Sequence, residues 1–81
     1  MKKIVFTPAA RADVRRIDRD TAMRILTALD HFARTGEGDV KKLQGNTNDL
    51  RLRVGDYRLR FHDDGQTLYV TAVKHRREVY R

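Results

Sequence analysis

LRLRVGDYRLRF, residues 50–61, is the stretch that decides the fold of this chain. Apolar and basic residues alternate strictly on both sides of Gly55-Asp56, and the alternation continues to His62. Because successive side chains of a strand point to opposite faces, the pattern predicts two strands joined by a tight turn. One face is apolar and suits a core. The other, which we call the arginine face, carries Arg51, Arg53, Arg58, Arg60 and His62.

The arginine face raises the question of function. Like charges opposed across neighbouring strands destabilise a sheet, so folding does not explain a plate of arginines. The chain has 18 basic and 11 acidic residues among 81, and its net charge of +7 favours a polyanionic partner. Nucleic acid is the first interpretation, an acidic protein the second, and a merely solvated basic surface the third.

Further strands are predicted on both sides of this stretch. Lys3–Thr7 is short and rich in β-branched and aromatic residues. An Asp-Gly dipeptide at 64–65 is a strong hairpin signal and leads into LYVTAV, which is more continuously apolar and predicts a central strand covered on both faces. The predicted antiparallel meander comprises Leu50–Val54, Tyr57–Asp63 and Leu68–His75.

Two helices separate the first strand from the meander. Thr7 and Pro8 supply an N-cap and a first helical residue, and an apolar stripe follows at helical spacing. A second helix begins after a polar break, with Asp20 as its predicted cap, and ends at Gly36 and Gly38.

The predicted fold is one α+β domain spanning residues 1–81. A strand, a two-helix hairpin and the meander follow one another, with the helices on the apolar face of the sheet and the arginine face left open. Residues 37–49 are predicted as a loop, and the segment from His75 to Arg81 as a basic tail without a terminal helix. No stretch is long and apolar enough for a membrane span or a signal peptide, so a cytoplasmic protein is expected.

Residue types also limit the chemistry. The chain has no cysteine, which rules out disulfides and thiolate metal sites. His31, His62 and His75 lack the spacing of metal ligands, so neither a metal nor a cofactor is expected.

Three motifs occur in a recognisable order: KKLQG at 41–45, GDYR at 55–58 and HRREVY at 75–80. In order and spacing they resemble the RelE/ParE superfamily of type II toxin–antitoxin toxins, and the resemblance covers essentially the whole chain. It implies a RelE-like, microbial-ribonuclease-like fold and a cognate antitoxin. In the RelE branch the toxin enters the ribosomal A site and cleaves mRNA, whereas in the ParE branch a similar fold inhibits DNA gyrase. Since one fold hosts both activities, the residues must decide.

RNA cleavage without a metal needs a base for the ribose 2′-OH, cations for the charge on the phosphorane, and an acid for the leaving 5′-oxygen. Arginine suits the cationic task because its fork binds phosphate bidentately and stays protonated. Arg58 matches the family's phosphate-binding arginine, and Tyr80 matches the C-terminal tyrosine of the RelE branch. The predicted catalytic residues are Arg51, Arg53, Arg58, His75, Arg76 and Tyr80, and the predicted RNA contacts are Lys41, Lys42, Arg60, Arg77 and Arg81.

The general base is the difficult assignment. RelE members often carry lysines on the first meander strand, where this chain has Asp49, Arg51 and Arg53, and arginine is a poor base. His75 is the natural substitute because imidazole titrates near neutral pH, and arginines are expected to surround it. His62 ranks below it.

Three functions remain open. The favoured one is a ribosome-dependent mRNA endonuclease, whose partners are the ribosome and mRNA. The alternative is a ParE-like gyrase inhibitor without nuclease activity, and the third is a degenerate toxin that only binds its antitoxin. In each case an acidic, partly disordered antitoxin segment is expected to fold on the basic surface, and operator DNA is contacted only through that complex.

Overall fold

A five-stranded sheet with helices packed on one face forms the fold in the computed structural model, which describes residues 1–43, 45 and 48–79. The strands are β1 (Lys3–Phe6), β2 (Val40–Lys42), β3 (Asp49–Val54), β4 (Tyr57–Asp63) and β5 (Thr67–His75), in the spatial order β1-β5-β4-β3-β2. The helices are α1 (Pro8–Arg15), α2 (Arg19–Thr35) and α3 (Arg76–Val79). β1 runs parallel to β5, and the other strand pairs are antiparallel. The predicted α+β class is confirmed.

The core lies on the apolar face that the alternation predicted. Leu52, Leu59 and Phe61 are buried there, and the ring of Phe32 from α2 meets Phe61 edge to face at 5.4 Å between centroids. Burying side chains of this size contributes about 1.5–3 kcal/mol each. β4 has the predicted bounds, whereas β3 and β5 each begin one residue earlier than predicted.

The helix ends follow the expected capping chemistry with one change. Thr7 caps α1 by accepting the backbone N–H of Ala10 at 3.2 Å. The cap of α2 is Asp18, which accepts from Thr21 at 3.0 Å, so the prediction of Asp20 was wrong. Asp20 lies in the first turn instead, where a carboxylate favours the helix dipole. Gly36 ends α2 in the left-handed conformation, with φ 77°, as its position predicted.

Two elements occur where none was predicted. β2 lies within the predicted loop; at three residues it is too short to show a period, but Val40 pairs with Leu52 and packs against the core. α3 lies in the predicted tail and begins with a reciprocal cap. Glu78 accepts the N–H of His75 at 3.1 Å, and His75 Nδ1 accepts that of Arg77 at 3.2 Å. This is a capping box with histidine in the place of serine or threonine.

β5 is central in the sheet as predicted, but it is covered on one face only. Tyr69 is 38% exposed and Thr71 is also exposed on the opposite face. The register shifts at Arg60/Phe61, since Arg60 lies opposite Ala72 and Phe61 lies opposite Val70. Thr71 is therefore the extra residue of a β-bulge, which breaks the alternation of the LYVTAV segment.

β5 extends beyond the end of β1, and α1 covers the edge of β5 that β1 leaves unpaired. The buried carboxylate of Asp13 accepts the backbone N–H of Val73 at 2.9 Å and the Nζ of Lys74 at 2.8 Å. A strand edge left unpaired in this position would bury an unsatisfied donor. Asp13 thereby fixes the helix to the sheet. In the part of the chain that is described, no helix is both long and apolar enough to cross a membrane.

Candidate functional site

The register arranges the arginine face as rows of cross-strand partners. Side chains that face each other across neighbouring strands lie on the same side of the sheet. The end row is Arg53–Arg58–Lys74, the middle row Lys41–Arg51–Arg60–Ala72, and the far row Asp49–His62–Tyr69. The structure therefore brings the predicted residues Arg51, Arg53, Arg58 and Arg60 together.

Arg58 is far less accessible than its alternation suggested. The residue is only 9% exposed, and its Nη1 donates to the carbonyl oxygens of Gly55 at 2.9 Å and Tyr57 at 3.0 Å. The guanidinium therefore holds the β3–β4 turn from which it projects. The expectation of an open arginine at this position is wrong.

Two of the three cations of the end row are paired with carboxylates. Arg53 Nε lies 3.8 Å from the carboxylate of Asp39, and Lys74 is held by Asp13. Burial by itself would raise the pKa of Asp13, but its hydrogen bonds from Lys74 and Val73 and the charges of Lys74 and Arg16 hold that pKa below the ordinary value. Sequence reasoning missed Asp13 and Lys74, because nothing in either local pattern links α1 to β5.

The middle row differs from the end row. Lys41 and Arg60 are exposed, Arg51 is half-buried between them, and within the described residues neither Lys41 nor Arg60 has an ion-pair partner. A cavity of about 420 Å³ opens beside this row at the β-bulge and is lined by Leu43, Asp49, Arg60, Phe61, Thr71 and Ala72. Arg60 contributes to the wall of this cavity a positive charge that no carboxylate of the described residues pairs with, which favours an anion there.

In the far row His62 is paired with a carboxylate. Its Nδ1 lies 3.0 Å from Asp49 Oδ1, and the two side chains are 46% and 54% exposed. Asp64 lies nearby, and its pKa is lowered chiefly because the backbone N–H groups of Gln66 and Thr67 donate to its carboxylate, with smaller contributions from His62 and Tyr69.

His75 does not lie among the arginines. Its register partner is Tyr57, whose side chain packs against the core, and the two rings meet edge to face at 5.3 Å. His75 Nδ1 is also engaged as the cap of α3. The expectation that arginines surround His75 is therefore wrong, because β5 turns this side chain towards the opposite face from Arg58.

The remaining predicted residues are scattered. Lys42 lies opposite Leu50 and so alternates away from the arginine face. Arg76 is exposed, with its Nε 3.8 Å from Asp56, and Arg77 is exposed on α3. Tyr80 and Arg81 lie outside the described residues.

Comparisons with known proteins agree on the kind of protein this is. A family model described as the ParE toxin of type II toxin–antitoxin systems matches residues 4–80. Toxin RelE3 of Methanocaldococcus jannaschii is 26% identical, over 96% of this chain and 94% of its own length.

Solved structures show the same fold. The RelB–RelE antitoxin–toxin complex from Methanococcus jannaschii superposes with a TM-score of 0.78 at 25% identity, covering 94% of each chain. The archaeal RelE–RelB complex from Pyrococcus horikoshii gives 0.76 at 19% identity, covering 93% of this chain and 94% of the other. The family model spans nearly the whole chain and the similar proteins are RelE toxins, so this protein is a RelE-like toxin of the ParE toxin family of type II toxin–antitoxin systems.

Proposed function

We propose that this toxin is a ribosome-dependent mRNA endonuclease, which stops translation by cutting mRNA in the A site. The observation that carries the proposal is the middle row of the arginine face. Lys41 and Arg60 present positive charge that no carboxylate of the described residues neutralises, with Arg51 between them. A phosphodiester passing into its transition state gains negative charge, which pre-positioned guanidinium groups stabilise.

The other predicted residues have supporting roles in this proposal. Arg53 and Arg76 are exposed and extend the cationic surface along β3 and α3. The guanidinium of Arg58 is buried on the same face as Arg53 and adds its charge there. Lys42, Arg77 and Arg81 serve as peripheral RNA contacts, and Tyr80 stacks on a base or orients the 2′-OH. His75 supports this surface through the cap of α3.

The partner that restrains the toxin is an antitoxin with an acidic, partly disordered segment. Relatives named RelE and YoeB have been solved together with RelB and YefM antitoxins. A chain with net charge +7 would bind such a segment as it folds on the basic surface, which covers the arginines. Operator DNA is then contacted through that complex.

Cleavage on ribosomes programmed with a defined mRNA tests the proposal. We expect the purified toxin to cut mRNA at the A site of such ribosomes, and the same mRNA without ribosomes to be cut far more slowly. Addition of the antitoxin should stop the reaction. Intact mRNA on ribosomes that carry an empty A site would contradict the proposal.

A second function is kept because the matching family model bears the name of the ParE toxin. In that case the arginine face is a binding surface for DNA gyrase and performs no chemistry. Inhibition of gyrase supercoiling by the toxin, together with intact mRNA on the programmed ribosomes, would establish this second function in place of the first.

A further inference from the structure

The far row of the arginine face holds a histidine that is oriented by a carboxylate. His62 on β4 and Asp49 on β3 are direct register partners, and their Nδ1 and Oδ1 atoms are 3.0 Å apart. The pairing of β3 with β4 sets the backbone positions of both residues, and Asp49 is the first residue of its strand.

The carboxylate determines which ring nitrogen carries the proton. An ionised carboxylate only accepts hydrogen bonds, so the Nδ1 of His62 must donate to Asp49. In the neutral ring, Nε2 therefore holds the lone pair. An imidazole in this state accepts a proton at Nε2, and the adjacent carboxylate stabilises the imidazolium that forms.

The pair stands next to Arg60 of the middle row, which has no ion-pair partner among the described residues. His62 and Arg60 are two residues apart on β4, which places them about 7 Å apart on the same face. Arg51 lies diagonally across from His62, at about 7–8 Å. A phosphate bound by Arg60 would therefore lie within reach of the imidazole, beside the cavity that Asp49 and Arg60 line.

His75 cannot take the same part in this structure. Its Nδ1 already accepts the N–H of Arg77, and its ring lies against Tyr57. The imidazole on the arginine face is that of His62, so the position that sequence reasoning ranked second has the geometry of a base.

We propose that His62, positioned by Asp49, is the general base of the cleavage reaction; this inference rests on the endonuclease function proposed above. Nε2 of His62 removes the proton of the ribose 2′-OH, and the 2′-oxygen forms a bond to phosphorus. The bond from phosphorus to the 5′-oxygen breaks, and that oxygen takes a proton from water. The products are a 2′,3′-cyclic phosphate and a 5′-hydroxyl end, and His62 returns its proton to solvent.

The test measures single-turnover cleavage on programmed ribosomes at saturating toxin. We expect His62→Gln to slow cleavage by about 100-fold or more, the usual contribution of a general base. The matched control is His31→Gln, because His31 is also an exposed histidine near a carboxylate, 3.8 Å from Glu37, but lies on α2. His31→Gln should cleave at the wild-type rate.

Asp49 is tested as a positioning residue by two variants. Asp49→Asn should slow cleavage by roughly 10-fold or more, while Asp49→Glu, which keeps the carboxylate, should recover most of the rate. A purely structural role would make both variants alike. Thermal melting and antitoxin binding, measured on each variant, show that the protein is folded.

A substrate with sulfur at the 5′-bridging position separates the base from the acid. Sulfur leaves without protonation, so it restores the rate when an acid is lost but not when a base is lost. We expect the defect of His62→Gln to persist on this substrate. Full restoration, or a folded His62→Gln that cleaves like the wild type, overturns the inference while the endonuclease function stands. A wild-type toxin that does not cut on ribosomes overturns both.

Discussion

Arg58 shows why a residue matched by family pattern needs its contacts examined. Its Nη1 closes the β3–β4 turn through two backbone carbonyls, and the side chain is almost wholly buried. Loss of toxicity on replacing Arg58 would therefore report folding as well as chemistry. The two contributions separate only if stability is measured beside activity.

Arg58→Ala should lower the free energy of unfolding by about 1.5–3 kcal/mol, because it removes the charged hydrogen bonds by which a buried guanidinium holds the turn. Arg53→Ala, on the exposed neighbouring position, should change it by no more than about 0.5 kcal/mol. Urea unfolding of the two variants checks this comparison. Equal stabilities would show that the Arg58 contacts do not hold the turn.

The alternation of residues predicted on which face of the sheet each arginine lies, but not how far its side chain is buried. The period of two places Arg53, Arg58 and Arg60 on one side, and the structure agrees. Alternation cannot distinguish an arginine that reaches solvent from one that folds back on its own turn. It also could not place His75, since the bulge at Thr71 shifts the alternation of β5 ahead of it.

At the scale of elements, the buried carboxylate of Asp13 links α1 to β5. Burial alone would raise the pKa of Asp13, but its contacts with Lys74 and the Val73 N–H outweigh this effect. The pKa of Asp13 is therefore lower than the ordinary 3.8, and the carboxyl group is ionised in the fold. A carboxyl group whose pKa is lower in the folded than in the unfolded protein stabilises the fold at pH values above its ordinary pKa. This stability is lost as the pH falls through the pKa of the folded state.

Asp13→Asn should therefore be less stable than the wild type at neutral pH, by about 1–3 kcal/mol, because Lys74 loses its partner. As the pH falls below about 4, the wild type should lose stability and the two proteins should converge. Urea unfolding across this pH range measures the effect, with Asp20→Asn, at an exposed carboxylate, as control. A constant difference between wild type and Asp13→Asn at every pH would rule out this ionised contact.

Elements long enough to show a hydrophobic period were predictable from the sequence. Short elements and contacts between residues far apart in the chain were not. α2 and the meander strands have enough residues to show their patterns, whereas β2 has three residues and α3 four. α3 did carry a signal, Glu78 three residues after His75, but histidine is an unusual partner in a capping box. The Asp13 contact joins residues 60 positions apart, which no local pattern reveals.

At the scale of the whole molecule, the two faces of the sheet differ in what they contact. One face packs against the helices and forms the core, while the other presents the three rows of the arginine face. Two of the three cations of the end row are paired with Asp39 and Asp13, which supports our proposal that the middle and far rows carry the chemistry. This places the centre of the proposed site at Arg51, Arg60 and His62, two residues along β4 from the arginine that the sequence favoured.

Cleavage of mRNA on programmed ribosomes by Arg60→Glu tests that claim most directly. Arg60 is exposed, so charge reversal should leave the fold intact, and we predict a loss of at least about 100-fold in the cleavage rate. Arg19→Glu is the matched control, because it reverses an exposed charge in the first turn of α2, where a carboxylate suits the helix dipole. It should cleave at nearly the wild-type rate. A folded Arg60→Glu that cleaves as fast as Arg19→Glu would contradict the assignment of the arginine face as the active site.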